Sequence, residues 1–297
     1  MDFNSESIKS YKKFSYRTVY PQIEKYMESF ESINFDLKKA GMKVSLPEYI
    51  SMAIMTSIIV FIIEFPFMLI ITLFIPNFSI IMGILFSFSL SIVFSISIFF
   101  FFYIYPSMTA NGRKRKIDFA LPFATLYLAT ASRSNAPPKT MFKILSKFEE
   151  YGELNKEARE ITKNIDIFGM STLEAIKKAA DKSPSEEFKE LLWGIDTTIS
   201  TGGNLSRYLH GKARTYIEQY KRMMKDYSKK VSTLLEIYVT LIVVGSIFFI
   251  VISSMMSAFG SGMIDMIVIV QFFVIFFGLP VISIAFIIVL KYLSPNM

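Results

Sequence analysis

Four long apolar stretches constrain the fold of this chain more than any other feature of its sequence. They cover residues 49–75, 80–105, 234–258 and 264–290, and each exceeds the roughly 20 residues that a helix needs to cross a bilayer. A mean hydropathy of +0.43 and 30 phenylalanines among 297 residues agree with a chain that is largely embedded in lipid. The sequence therefore predicts an all-α, polytopic membrane protein with four transmembrane helices, two at residues 49–105 and two at 234–291.

The distribution of basic residues predicts how these helices are oriented. All 32 Lys and Arg residues lie before the first stretch, between the second and third, or after the fourth, in numbers of 8, 23 and 1. The turns at 76–79 and 259–263 carry none. By the positive-inside rule, we expect a multi-pass protein of the cytoplasmic membrane with both termini and the long middle segment in the cytoplasm.

The same charge pattern bears on binding partners. Membrane topology already requires an excess of cytoplasmic Lys and Arg, so the pI near 9.3 does not indicate nucleic-acid binding. Two basic collars flank the middle segment, and for most of their residues we expect contact with anionic membrane lipid. The collars comprise Arg113, Lys114, Arg115 and Lys116 on one side and Lys221, Arg222, Lys225, Lys229 and Lys230 on the other.

Residues 1–48 form a polar, cytoplasmic, helical N-terminal region. Apolar residues recur there at helical spacing, which predicts a helix of about four turns that follows Pro21 and ends near Gly41. These residues are Ile23, Met27, Phe30, Ile33 and Leu37. The pattern leaves open whether this helix packs on the cytoplasmic domain or lies on the membrane surface.

Residues 111–230 read as a cytoplasmic bundle of six short helices, with starts near 117, 138, 153, 171, 184 and 204. Capping boxes are expected at Ser171 and at Ser183, the second with Pro184 as the first helical residue. Gly202 and Gly203 form a structural turn that closes the fifth helix. The last helix has no proline from 204 to 258 and is expected to run unbroken into the third span.

No group of residues supports catalysis or cofactor binding. His210 is the only histidine, and the absence of cysteine excludes disulfides and Cys-ligated zinc. The turn at Gly202 lacks the lysine of a phosphate-binding loop. We therefore expect no enzyme activity, no metal and no cofactor, and any energy must come from a partner.

Three polar residues lie within the apolar stretches: Glu64, Glu236 and Gln271. A carboxylate at the bilayer centre costs about 2.5–3.5 kcal/mol, so Glu64 should face protein or water. It could lie on an ion or proton path, or it could be a protonated carboxyl bonded to a neighbouring helix. For Glu236, near the basic Lys229 and Lys230, an interfacial ion pair is the simpler interpretation.

Six short motifs follow one another along the middle segment. They are Leu121-Pro122-Phe123, Asn135-Ala136-Pro137-Pro138, Tyr151-Gly152-Glu153-Leu154, Phe168-Gly169-Met170-Ser171, Ser183-Pro184 and Ser200-Thr201-Gly202-Gly203-Asn204-Leu205. Their order and spacing resemble the F-domain of type II secretion and type IV pilus systems, in particular platform proteins of the archaeal FlaJ and tight-adherence TadB/TadC kind. The run Leu37-Lys38-Lys39-Ala40-Gly41-Met42 before the first span resembles the same family. Family members commonly have glycine where Asn135 stands, but asparagine tolerates the left-handed conformation.

The resemblance implies a pilus assembly platform that couples a cytoplasmic hexameric ATPase to pilin extraction and filament assembly. This chain carries one F-domain, which favours a homodimer or a pair with a paralogous subunit. For the ATPase interface, exposed charge suggests two groups of residues. They are Lys139, Lys143, Lys147, Glu149 and Glu150 on one helix, and Arg207 and Lys212 near the Gly202-Gly203 turn.

Two other classes of protein compete with this interpretation. The first is a small four-span transporter or channel with Glu64 and Gln271 in the pathway, in which Pro66 and Pro280 break the first and fourth spans. The second is a helical receptor or scaffold without a motor. The spans share no repeat beyond these prolines, and a channel does not need so large a cytoplasmic domain.

Overall fold

The computed structural model describes residues 3–74, 79–259, 269–270 and 272–293, and these residues form helices without a strand. The α-helices are α1 (Phe3–Ile23), α2 (Glu31–Lys39), α3 (Leu46–Leu73), α4 (Ile80–Arg133), α5 (Pro138–Leu145), α6 (Glu153–Asp166), α7 (Thr172–Lys182), α8 (Glu186–Ser200), α9 (Leu205–Phe259) and α10 (Leu279–Leu293). Short 3-10 helices cover Glu24–Phe30 and Glu149–Tyr151, and a π-helix covers Val274–Gly278. The predicted all-α class is confirmed.

Four helical segments are long and apolar enough to cross a membrane, as predicted. They lie in α3, α4, α9 and Val274–Lys291, with mean hydropathies of 2.4–2.6 in their most apolar windows. The chain is therefore a multi-pass membrane protein. Residues 264–268, at the start of the predicted fourth span, lie outside the described residues.

Prolines interrupt the spans less than expected. The predicted break at Pro66 is wrong, because α3 remains helical on both sides of it. In the hydrocarbon core of a membrane, the backbone N–H and C=O groups near Pro66 can form hydrogen bonds only within the helix. This favours continuation of the helix past the proline. In the fourth span, the π-helix Val274–Gly278 ends just before Pro280. Proline lacks a backbone N–H, and its ring crowds the carbonyl four residues earlier. The wider turn of a π-helix accommodates the missing hydrogen bond and the ring.

The N-terminal region differs from its prediction. The helix begins at Phe3 rather than after Pro21, and the 3-10 segment Glu24–Phe30 separates it from α2. Packing along α3 explains the early start: the Tyr11 hydroxyl lies 2.8 Å from the Thr56 hydroxyl, and Val19 is buried. Such tertiary contacts outweigh the poor helix propensity of a proline near the helix end.

The C-terminal part of this region packs against the start of the first span. Ile33 and Leu37 of α2 are buried together with Tyr49 and Ile50 of α3. The Tyr49 hydroxyl donates to the carbonyl of Phe102 on α4 at 2.7 Å. The region therefore rests on the ends of the first two spans, which the sequence alone did not decide.

Within the middle segment, the starts expected near 138, 153, 171 and 204 agree with α5, α6, α7 and α9 to within a residue. The start at 117 is wrong, because α4 continues from the second span to Arg133. Ser171 caps α7 by accepting from the Glu174 N–H, at 3.2 Å. The second cap is Ser185 rather than Ser183, since the Ser185 hydroxyl accepts from the Phe188 N–H at 3.0 Å.

The chain divides into two compact units, residues 1–120 with 135–205, and residues 121–134 with 206–297. In the first unit, α5 to α8 bury most of their apolar residues, whereas Ile144 of α5 and Phe168 after α6 are 38% and 61% exposed. The buried residues include Met141, Phe142, Leu145, Leu154, Ala158, Ile161, Ile176, Phe188, Leu191, Leu192 and Ile195. In the second unit, Phe123 meets Tyr220 edge-on, and Tyr238 of α9 stacks on Phe286 of α10.

Candidate functional site

Lys139 and Lys143 lie one turn apart on α5 and share one carboxylate. Their amines lie 2.8 and 3.4 Å from the two oxygens of Asp166 at the end of α6. The hydrogen bond from Lys139 and the positive charge of both amines hold the pKa of Asp166 below its ordinary value. All three residues are exposed, so this surface is charged at neutral pH and open to a partner.

The other predicted interface residues of this region are also exposed. Lys147 lies in the turn after α5, and Glu149 and Glu150 lie in the 3-10 helix that follows. Glu149 pairs with Arg159 of α6 at 3.1 Å. The structure thus brings five predicted interface residues onto α5 and the turn that follows it, with three of them in ion pairs.

The remaining predicted interface residues lie on α9. Arg207 is exposed in its first turn, and the Lys212 amine lies 5.9 Å from the centre of the Tyr216 ring. Before α9, Gly202 has a φ of +69°, which favours glycine, and the Gly203 N–H donates to the Thr198 carbonyl at 2.7 Å. The two glycines therefore close α8 through backbone geometry.

Two of the three polar residues of the spans lie among the described residues. Glu64 is half-buried on α3, and Glu236 is exposed on α9. Gln271 lies outside the described residues. Outside the spans, the Nδ1 atom of His210 lies 2.8 Å from the Ser206 carbonyl on the same helix. Among the described residues, no three His, Asp or Glu side chains come close enough together to hold a metal ion.

Arg113 forms a buried ionic cluster that the sequence analysis missed. Its Nε donates to Glu153 at 2.9 Å, its Nη2 donates to Glu157 at 2.7 Å, and its Nη1 donates to the Lys39 carbonyl at 2.8 Å. The side chains of Arg113, Glu153 and Glu157 are only 18%, 13% and 6% exposed. One side chain of α4 therefore connects the end of α2 with the start of α6.

The two carboxylates of this cluster have opposite pKa shifts. Burial raises the pKa of Glu157, and the positive charge of Arg113 only partly offsets it. Burial also acts to raise the pKa of Glu153, but hydrogen bonds from Lys156 and Arg113 outweigh it and leave the pKa below its ordinary value. Arg113 is thus held between a carboxylate that ionises readily and one that resists ionisation.

Gly41 allows the close approach between this cluster and α2. Its φ is +69°, and an added Cβ would lie 2.6 Å from the Nη1 atom of Arg113. One signal in the sequence was available: Glu153 and Glu157 flank the buried Leu154 at helical spacing, so they lie at the edge of the core and require a basic partner. Which of the many Lys and Arg residues supplies it depends on the tertiary fold.

The comparison with known families matches residues 124–253 to a family described as Type II secretion system (T2SS), protein F. The matched segment runs from within α4, through α5 to α8, and into the apolar part of α9. This match confirms the resemblance inferred from the sequence motifs. No solved structure matches the chain.

Curated relatives come from methanogens. An uncharacterised protein of Methanocaldococcus jannaschii is 28% identical over 135 residues, which are 46% of this chain and 23% of that protein. The Flagella accessory protein J of the same organism is 28% identical over 137 residues, or 46% and 24% of the two chains. That of Methanococcus voltae is 24% identical over 145 residues, or 48% and 26%. The match covers only about a quarter of the length of each relative.

Proposed function

We propose that the chain is a membrane assembly platform of a type IV pilus-like or type II secretion-like machine, because residues 124–253 match the family of type II secretion system protein F. The family match is the observation that carries the proposal. Two relatives that bear the name Flagella accessory protein J support a filament of the archaeal flagellum or pilus type. In this role the chain is a structural membrane component and not an enzyme.

The proposed mechanism is mechanical. Residues 111–230 form the cytoplasmic F-domain and lie over a hexameric ATPase, whose movement is passed into the membrane to help extract pilin subunits. The form of α4 and α9 supports this, because each runs without a break from the matched segment into a span. At 1.5 Å per residue, the 55-residue α9 is about 80 Å long, which suits a stiff connecting rod.

The charged residues Lys139, Lys143, Lys147, Glu149, Glu150, Arg207 and Lys212 are the proposed contacts with the ATPase. Lys147, Arg207 and Lys212 are tested first, because reversing their charge leaves the ion pairs of Lys139 and Lys143 with Asp166 in place. The platform acts as a homodimer or with a paralogous subunit, and both termini face the cytoplasm.

Affinity isolation of the tagged full-length protein from its native membranes tests the function. The expected result is recovery of a cytoplasmic hexameric ATPase by the unaltered chain, with weaker recovery by a Lys147→Glu/Arg207→Glu/Lys212→Glu variant. The variant Arg17→Glu/Lys25→Glu is the control, since both residues are exposed and lie outside the matched segment. Recovery of the abundant, folded protein without any ATPase would reject the platform. Equal recovery by all variants would reject only the proposed contacts.

The transporter alternative receives no support from the described residues. It was based on Glu64 and Gln271 as pathway residues, and a transporter built from two halves should show corresponding broken spans, whereas α3 is continuous through Pro66. Substitution of Glu64 tests the transporter alternative, and it becomes the next experiment only if no ATPase is recovered.

A further inference from the structure

A cleft of about 740 Å³ opens in the first unit between the turn after α2, the segment of α4 near Gly112 and the exposed edge of α6. The Arg113 cluster lines this cleft together with Lys38, Lys43 and Lys116. None of these three lysines belongs to the predicted ATPase contacts.

The charges that line the cleft do not cancel. Its carboxylates are already paired: Glu153 and Glu157 with Arg113, and Glu160 with Lys182 at 2.9 Å. Lys38, Lys43 and Lys116 have no carboxylate within 4.0 Å among the described residues. Three ammonium groups therefore remain with donors to spare, and together they favour an anion.

The position of the cleft along the helices indicates the depth at which this anion lies. Thr109 lines the cleft four residues after the apolar stretch 80–105, which is about 6 Å at 1.5 Å per residue. Lys43 lies three residues before α3 begins at Leu46. The polar layer on each side of the hydrocarbon core is about 5–8 Å thick. The end of the cleft that Thr109 and Lys43 line is therefore at the level of lipid headgroups.

We propose that this cleft binds the phosphate group of an anionic membrane lipid through Lys38, Lys43 and Lys116. Basic pockets beside transmembrane helices are suited to such headgroups, and ammonium groups serve as point charges that accommodate a phosphate in several orientations. A free polyphosphate has the same chemistry, but the depth of the cleft favours the lipid. The proposal does not depend on the filament role.

Native mass spectrometry of the delipidated full-length protein tests this inference. Phosphatidylglycerol, phosphatidylcholine and inorganic pyrophosphate are titrated separately. The expected result is retention of one phosphatidylglycerol at concentrations at which phosphatidylcholine is not retained. The variant Lys38→Gln/Lys43→Gln/Lys116→Gln should weaken this binding by about a hundredfold, since each of the three lysines contributes about 1 kcal/mol near a headgroup, which is a factor of about five.

Two further variants separate a built site from general attraction. Arg133→Gln/Lys147→Gln/Lys163→Gln removes the same charge from exposed positions outside the cleft and outside both basic collars, and should leave the affinity unchanged within about twofold. Gly112→Leu adds bulk at the wall of the cleft without a change in charge, and it should weaken binding while the protein stays folded, because a Cβ there meets nothing within 4 Å. Equal weakening by both triple variants, unaffected binding by Gly112→Leu, or pyrophosphate binding as tight as that of the lipid would each overturn the proposal.

Discussion

Arg113 is the residue on which the packing of the N-terminal region, α4 and α6 most depends. Its replacement leaves Glu157 buried without its cation and leaves Glu153 paired with Lys156 alone. We expect Arg113→Gln to lower the free energy of unfolding by about 2–4 kcal/mol, because removal of one partner of a buried ion pair leaves an uncompensated charge. The measurement is the thermal unfolding midpoint in detergent. Arg115→Gln is the control, since Arg115 is exposed, and an equal effect of both would contradict the cluster's role.

Glu157 should make stability depend on pH. Its pKa is raised in the folded chain, so the folded state holds the proton more tightly than the unfolded state. Stability is therefore lost as the pH rises from the ordinary value of 4.5 through the folded pKa. Glu153, whose pKa is lowered, contributes stability that is present above 4.5 and lost as the pH falls through its folded pKa.

We expect Glu157→Gln to flatten the decline of the unfolding midpoint above pH 4.5 and to leave the acid-side loss in place. The midpoint is measured from pH 4 to 8, with Glu150→Gln as the control because Glu150 is exposed. A decline that persists unchanged in Glu157→Gln would show that another group causes it.

Two glycines near Arg113 should respond in opposite ways to the same substitution. Gly41→Ala puts a Cβ 2.6 Å from Nη1 of Arg113 at a φ of +69°, and we expect a loss of about 1–2 kcal/mol from the left-handed backbone alone. Gly112→Ala lies in the interior of α4 with open space around it, and should gain about 0.5–1 kcal/mol. The thermal unfolding midpoints of the two variants, measured side by side, test both expectations, and shifts in the same direction would contradict them.

The residue types in the sequence predicted backbone conformation and exposure, but not the partners of the ion pairs. Asn135 has a φ of +53°, as its place in a glycine-like turn suggested. The exposure of Lys139 and Lys143 was expected, but the carboxylate they share was not. Ion pairs of this kind join residues 23 to 44 positions apart, and with 32 basic side chains the sequence does not identify the partner.

At the level of helices, apolar periodicity predicted the elements whose stripes face a core. It failed where a helix continues beyond its apolar part: α4 passes the charged run at 113–116 without a break and ends at Arg133. A change of composition there marks the exit from the apolar stretch, while the backbone remains hydrogen-bonded within one helix. The last helix shows the same property, and here the absence of proline predicted it correctly.

The continuity of α9 should be required for filament assembly rather than for folding of α5 to α8. Ser228→Pro removes a helical N–H and introduces a ring clash, at a local cost of about 3 kcal/mol. Ser228 is exposed and precedes the predicted third span. We expect the variant to reach the membrane and to recover the ATPase, yet to form few filaments by electron microscopy. Ser228→Ala is the control, and normal filament number in Ser228→Pro would show that α9 does not act as a rod.

For the whole molecule, the fold explains how a chain without an evident catalytic group could take part in a driven process. The matched residues 124–253 include α5 to α8 and most of the apolar part of α9. Helix α9 reaches this apolar part as one continuous helix. Any force on the soluble part of that helix reaches the span without an intervening loop. The proposed function requires that the 23 basic residues of the middle segment lie on the cytoplasmic side of the membrane, where the proposed ATPase would act.

The absence of cysteine allows this topology to be tested directly. Ser79→Cys and Ser200→Cys each introduce one thiol at an exposed position, the first before α4 and the second at the end of α8. We expect a membrane-impermeant maleimide to label Ser79→Cys on intact cells and to label Ser200→Cys only after the membrane is permeabilised. The unaltered chain, which has no thiol, is the control for background. Labelling of Ser200→Cys on intact cells would place the middle segment outside, where no cytoplasmic ATPase could reach it, and the proposed function would fail with the topology.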